Sequence, residues 1–113
     1  MNAKQRDLLL VPFPFSDQSG KKVRPIVVVS NNEFNQLSED LIVIGITSNI
    51  SKDKYTLELT NKDLEEGELF DLCCIKVENI IKIDKQLIIK KIGKLKKEKF
   101  MNIINILNTI LME

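Results

Sequence analysis

Apolar residues along this chain gather in short runs with polar breaks between them, and their period changes once, near residue 96. Residues 7–15, DLLLVPFPF, are rich in apolar side chains and close on two prolines. Proline cannot donate to a sheet ladder, so a strand is expected to end near Phe13. Residues 16–23, SDQSGKKV, have the serine, aspartate and glycine of a surface loop. RPIVVVS, residues 24–30, is β-branched and almost continuously apolar, which predicts a central strand with proline at its start. NNEFNQLSE breaks the pattern as a loop with a helical turn, and DLIVIGIT, residues 40–47, predicts a second buried strand. After a polar loop over residues 48–54, YTLELT alternates as a half-exposed strand does.

NKDLEEGEL carries the acids and the glycine of a tight turn. A strand through FDLCCIKVE and a separate one near IIKID are expected next. QLIIKKIGKL fits a last strand better than a short helix. Beyond residue 96, Phe100, Ile103, Ile104, Leu107 and Leu111 recur at helical spacing, with Asn102, Asn105 and Asn108 between them. Many short strands and one amphipathic C-terminal helix predict a single mainly β domain over residues 1–113, an antiparallel barrel with the helix packed on it.

Composition agrees with one ordinary globular core: 113 residues, 43% hydrophobic and 29% charged, with an aliphatic bias because aromatics make up only 5%. No apolar run approaches the roughly 20 residues that span a bilayer, and the start lacks the features of a secretory signal. A cytoplasmic protein with no membrane segment is expected. Adjacent Cys73 and Cys74 suit neither a disulfide nor a zinc site, and one of the two is expected to face the core as a reduced thiol.

The net charge of +1 hides a skew, for residues 76–99 contain nine lysines against three acids. Such a segment can attract phosphate or simply form a solvated face. The chain has no histidine, no glycine-rich nucleotide loop and no calcium-loop spacing, so neither a nucleotide cofactor nor a metal is expected. What remains is a set of polar residues at strand ends: Arg24, Thr47, Ser48, Lys76 and Glu78. Cations, hydroxyls and a carboxylate around one pocket suit phosphodiester chemistry, because a guanidinium holds phosphate oxygens in a fork and RNA brings its own 2′-hydroxyl nucleophile. From the residues alone other readings stay open. Arg24 can pair with Asp17 or Glu78 at the surface, Thr47 and Ser48 can start a turn, and Lys76 with Glu78 can be a plain exposed pair.

At these residues the chain resembles the MazF/PemK family of toxins from bacterial type II toxin-antitoxin modules. DLLLVPFPFSDQSGKKVRPIVVVSN is similar to the family's opening strand, loop and Arg-Pro strand, and LIVIGITSNI to its threonine-containing third strand. CIKVENIIKIDKQLIIKKIGKL followed by an apolar helix is similar to its C-terminal part. The resemblance implies an SH3-like barrel, a homodimer, and a metal-independent endoribonuclease that cuts single-stranded RNA to 2′,3′-cyclic phosphate and 5′-hydroxyl ends. It also implies a cognate antitoxin that binds along the dimer and blocks the site. Carried over by motif, Arg24 stabilises the phosphorane, Thr47 positions the phosphate, and Glu78 is the base, with burial lifting its pKa. Ser48, Lys76, Ser16, Asp17 and Asn49 are then substrate-binding, and the loop over residues 16–23 governs access.

Two positions depart from the family pattern. Lys76-Val77-Glu78 stands where some members have Arg-x-Asp, and Arg6 replaces the usual glycine before the first acid of strand one. Two alternatives accompany the ribonuclease: a toxin of the same barrel type that poisons gyrase by protein binding, and an RNA-binding module without catalysis.

Overall fold

The computed structural model describes residues 2–12 and 22–113, so the expectations for Phe13, Ser16 and Asp17 lie outside the described residues. Within them the apolar runs form β1 (Asp7–Pro12), β2 (Val23–Val28), β3 (Asp40–Thr47), β4 (Thr56–Leu59), β5 (Leu64–Gly67), β6 (Cys73–Asp84) and β7 (Lys90–Leu95). A short helix α1 (Asn32–Leu37) joins β2 to β3, and α2 (Lys97–Leu111) follows β7. The strands make one antiparallel sheet in the order β4-β6-β3-β2-β1-β7-β5.

The two edges of this sheet, β4 and β5, are consecutive in the chain, joined by the single 3-10 turn Asn61–Asp63. A sheet whose edges lie one turn apart has to curl, and the result is a half-barrel. The joining turn is fixed locally: Asp63 accepts the Thr60 backbone N–H at 2.9 Å while the Thr60 hydroxyl accepts from Lys62 at 3.3 Å. Asp63 also pairs with Lys99 of α2 at 3.4 Å, which ties the turn to the helix.

Both faces of the sheet are covered. On one, Leu8, Val27, Ile44, Ile75 and Leu95 pack with Ile103 of α2; on the other, Leu9, Val11, Ile26, Val28, Val43 and Ile83 form a second apolar layer. Burial on both sides is why β1, β2 and β3 are continuously apolar instead of alternating. Along α2 the buried seam runs Phe100, Ile103, Ile106, Leu107 and Ile110, whereas Leu111, expected on it, is 66% exposed at the helix end. No helix among the described residues is long and apolar enough to cross a membrane.

β6 corrects the expectation of two strands. It is one strand with a bulge: the step from Ile44 to Ile46 on β3 is matched on β6 by the longer step from Ile80 to Ile75. The extra residues turn the strand over, so that Cys73, Ile75 and Val77 face the α2 layer while Ile81 and Ile83 face the opposite one. Cys73 joins the core on the α2 side, as expected of one of the pair, and Cys74, on the other face of β6, is buried as well. Burial first, and then the neighbouring Asp71 carboxylate, push the Cys73 thiol up.

Arg6, where the resemblance implies a glycine, has φ 79°, a left-handed conformation that costs a side chain roughly 1–2 kcal/mol. It is held there because the Arg6 guanidinium donates to the Leu95 carbonyl at 2.8 Å and pairs with Glu65 at 3.1 Å. Arg6→Ala keeps the strain and loses the anchors; Arg6→Gly loses the anchors and relieves the strain. The glycine variant is therefore expected to be the more stable of the two by about 1 kcal/mol in urea unfolding. Equal midpoints would remove the strain argument.

Candidate functional site

Ile26 of β2 pairs with Gly45 of β3, so two residues further toward the same end Arg24 and Thr47 stand on one face of the sheet. Thr47 pairs in turn with Cys74 of β6, and Lys76 follows on that strand at the start of its bulge. These three neighbouring strand ends, with Asn49 and Asp53 from the β3–β4 loop, surround a cavity of about 440 Å³. Val11, Ile26 and Ile81 supply its apolar lining. The sheet thus brings together Arg24, Thr47, Asn49 and Lys76, four of the residues singled out in the sequence.

The polar groups are oriented by short local contacts. The Thr47 hydroxyl accepts the Asn49 backbone N–H at 3.0 Å, which leaves its own proton for a ligand oxygen. The Lys76 ammonium lies 3.2 Å from Asp53 and 3.6 Å from Glu78. A hydrogen bond from Lys76, reinforced by one from Ser51, holds the Asp53 carboxyl below its ordinary value. Lys76 is held above its own, chiefly by the bond to Asp53. Both groups therefore keep their charges across the neutral range.

Two assigned residues lie elsewhere. Glu78 is 44% exposed and outside the lining of this cavity, reaching its edge only through Lys76, so the burial expected of it is absent. Ser48, next to Thr47 and so on the opposite face, lines a second cavity of about 350 Å³ that shares Arg24 and Pro25 with the first. The lysine-rich stretch does not form one basic stripe. Lys82 pairs with Asp40, Lys91 with Asp7 and Glu66, and Lys99 with Asp63, so much of that charge is neutralised within the fold.

Asp53 and Asn79 line the cavity without having been expected there. Asp53 carried no signal, since its place depends on the path of the β3–β4 loop. Asn79 had one in Gly45, a glycine inside a β-branched strand, which marks a close approach. A side chain on Gly45 would run into the Asn79 amide.

A model of the PemK-like, MazF-like toxins of type II toxin-antitoxin systems matches residues 4–111. This chain belongs to that family. No curated protein matches the sequence. Among solved structures, MazF from Deinococcus radiodurans aligns with a TM-score of 0.78 at 13% identity, covering 98% of this chain and 97% of that one. The MazE-MazF complex from the same organism gives the same values. An endoribonuclease from a mycobacterial species, in complex with its cognate antitoxin, aligns at 0.75 with 19% identity, covering 96% and 94% of the two chains. At identities this low the likeness shows the fold alone, the expected barrel type with its C-terminal helix.

Proposed function

We propose that this MazF-family toxin is an endoribonuclease that cuts single-stranded RNA through the substrate's own 2′-hydroxyl. The observation that carries the reading is the convergence of Arg24, Thr47 and Lys76 on one cavity, which brings a guanidinium, a hydroxyl and an ammonium into a single lining. A solved structure of the same fold is an endoribonuclease held by its antitoxin, which supports extending both the activity and an antitoxin partner to this chain. A homodimer is proposed on the family resemblance.

The 2′-hydroxyl loses its proton and attacks the adjacent phosphorus; the bond to the 5′-oxygen breaks, leaving a 2′,3′-cyclic phosphate and a 5′-hydroxyl that takes a proton from solvent. Arg24 neutralises the charge that builds on the phosphoryl oxygens, and Thr47 donates to one of them. Lys76, kept protonated by Asp53, offers further N–H donors at the cavity, its charge offset by Asp53 and Glu78. Ser48 and Asn49 contact the flanking nucleotides.

Glu78 takes the proton from the 2′-hydroxyl in this scheme, from the rim of the cavity and in exchange with water. Folded Glu78→Gln is then expected to cut roughly a hundred-fold more slowly, the scale of a lost general base. Wild-type rates in that variant would give the proton to solvent instead. The activity itself is tested by incubating the purified toxin with a long single-stranded RNA in EDTA and mapping fragment ends. Discrete cuts with cyclic phosphate ends establish the ribonuclease; intact RNA, with the protein folded and free of antitoxin, leaves a toxin that acts by binding a protein.

A further inference from the structure

We infer that the second cavity is a subsite for a base flanking the scissile phosphate, and that it favours bases with an exocyclic amine (adenine, cytosine or guanine) over uracil. The inference rests on the ribonuclease reading above. Arg24 and Pro25 border both cavities, so a strand whose phosphate is held by Arg24 has its neighbouring nucleotide at the mouth of the second.

Phe70, in the β5–β6 loop, lines this cavity and is 100% exposed. An aromatic ring wholly in water offers a face on which an unstacked base can lie, the commonest way single-stranded RNA is held. Glu68 and Asp71, on either side of Phe70 in sequence, line the same cavity. Two carboxylates repel phosphate but accept hydrogen bonds from an amine on a base edge, as acidic side chains do from the cytosine amino group. Uracil offers one donor on its edge, the N3–H between two carbonyl oxygens, so it can satisfy one carboxylate while setting an oxygen against the other. Lys90 lines this cavity as well and can hold the backbone beyond the base. The occupant that suits both the ring and its acidic neighbours is therefore the base, not the phosphate.

Phe70 lies outside the core, so its replacement leaves folding intact. Cleavage of a randomised single-stranded RNA pool by the wild type is expected to show a flanking position depleted in uracil. Phe70→Ala should flatten that bias and raise KM roughly ten-fold, as for one lost stacked base, with kcat within about two-fold. The double change Glu68→Gln and Asp71→Asn, which adds amide donors, should admit uracil there. An unchanged bias and KM in Phe70→Ala overturns the subsite. So does a shift in light-scattering mass in Phe70→Ala with the bias intact, which would make the surface a contact with a second copy of the chain.

A binding measurement separates failure of the subsite from failure of the ribonuclease. The chain has no tryptophan, so Phe70→Trp places one reporter in the cavity. Its fluorescence should be quenched by 2′-O-methyl oligonucleotides of A, C or G, which cannot be cut, and much less by those of U. If the wild type cuts nothing but this order of quenching holds, the ribonuclease reading falls and the base subsite stands. Equal quenching by all four, or none, removes the subsite whatever the toxin cuts.

Discussion

Arg24→Ala is expected to abolish discrete RNA cleavage, lowering kcat by at least about a hundred-fold while the protein stays folded. Removing one donor that faces developing negative charge in a preorganised site costs on the order of a hundred- to a thousand-fold. Arg24 is in that position, half-buried at the start of β2 and opposite Val11 of β1, whose pairing with β2 holds its backbone. Arg24→Lys is expected to recover little, because a point charge on a flexible stem cannot grip two phosphoryl oxygens as a planar fork does. Stability should change by no more than about 1 kcal/mol, since the side chain lines a cavity and not the core. Single-turnover cleavage with end mapping, beside a urea titration of each variant, separates the two effects. A folded Arg24→Ala that cuts at the wild-type rate would remove the central charge stabiliser from the scheme.

That Arg24 and Thr47 were legible in the sequence, while Asp53 and Asn79 were not, follows from what fixes each position. The first two sit at the ends of strands buried on both faces, and such strands announce themselves as unbroken apolar runs. Their side-chain direction then follows from the period of two, which places Thr47 in the first cavity and Ser48 in the second. Asn79 depends on a bulge, and a bulge is a relation between two strands: in β6 alone it looks like a break in an apolar stretch. β5 escaped for a simpler reason. Of its residues only Leu64 is buried, while Glu65, Glu66 and Gly67 face water at the sheet edge, so no alternation exists to be seen. The charge skew over residues 76–99 was visible, but not the acids that neutralise much of it, because Asp7, Asp40, Asp63 and Glu66 reach those lysines only through the pairing of distant strands.

The same strand pairing supplies the largest expected effect on stability, which is at Lys91. Asp7, at the start of β1, is 3% exposed. One oxygen accepts the Lys4 backbone N–H at 2.9 Å, and the other has no hydrogen-bond donor among the described residues, its compensation being the Lys91 ammonium at 3.4 Å. Lys91→Met strands that carboxylate in the fold. Breaking a buried pair from one side typically costs about 3–5 kcal/mol; because the Lys91 side chain is itself 39% exposed and well hydrated, about 2–3 kcal/mol is expected here. Burial works against the charge of Lys91, but the hydrogen bond to Glu66 and the charge of Asp7 outweigh it and hold the ammonium above the ordinary lysine value of 10.5. The pair therefore stabilises the fold fully below that pH, and the contribution fades as pH rises through the higher folded value. Wild-type stability should hold from neutral pH to about pH 10 and then fall, while Lys91→Met starts lower and falls less. Asp7→Asn in the Lys91→Met background removes the stranded charge and keeps the acceptor for Lys4, so it should recover most of the loss, a coupling that a double-mutant cycle measures directly. Additive losses in that cycle would mean that Asp7 and Lys91 stabilise the fold independently of one another.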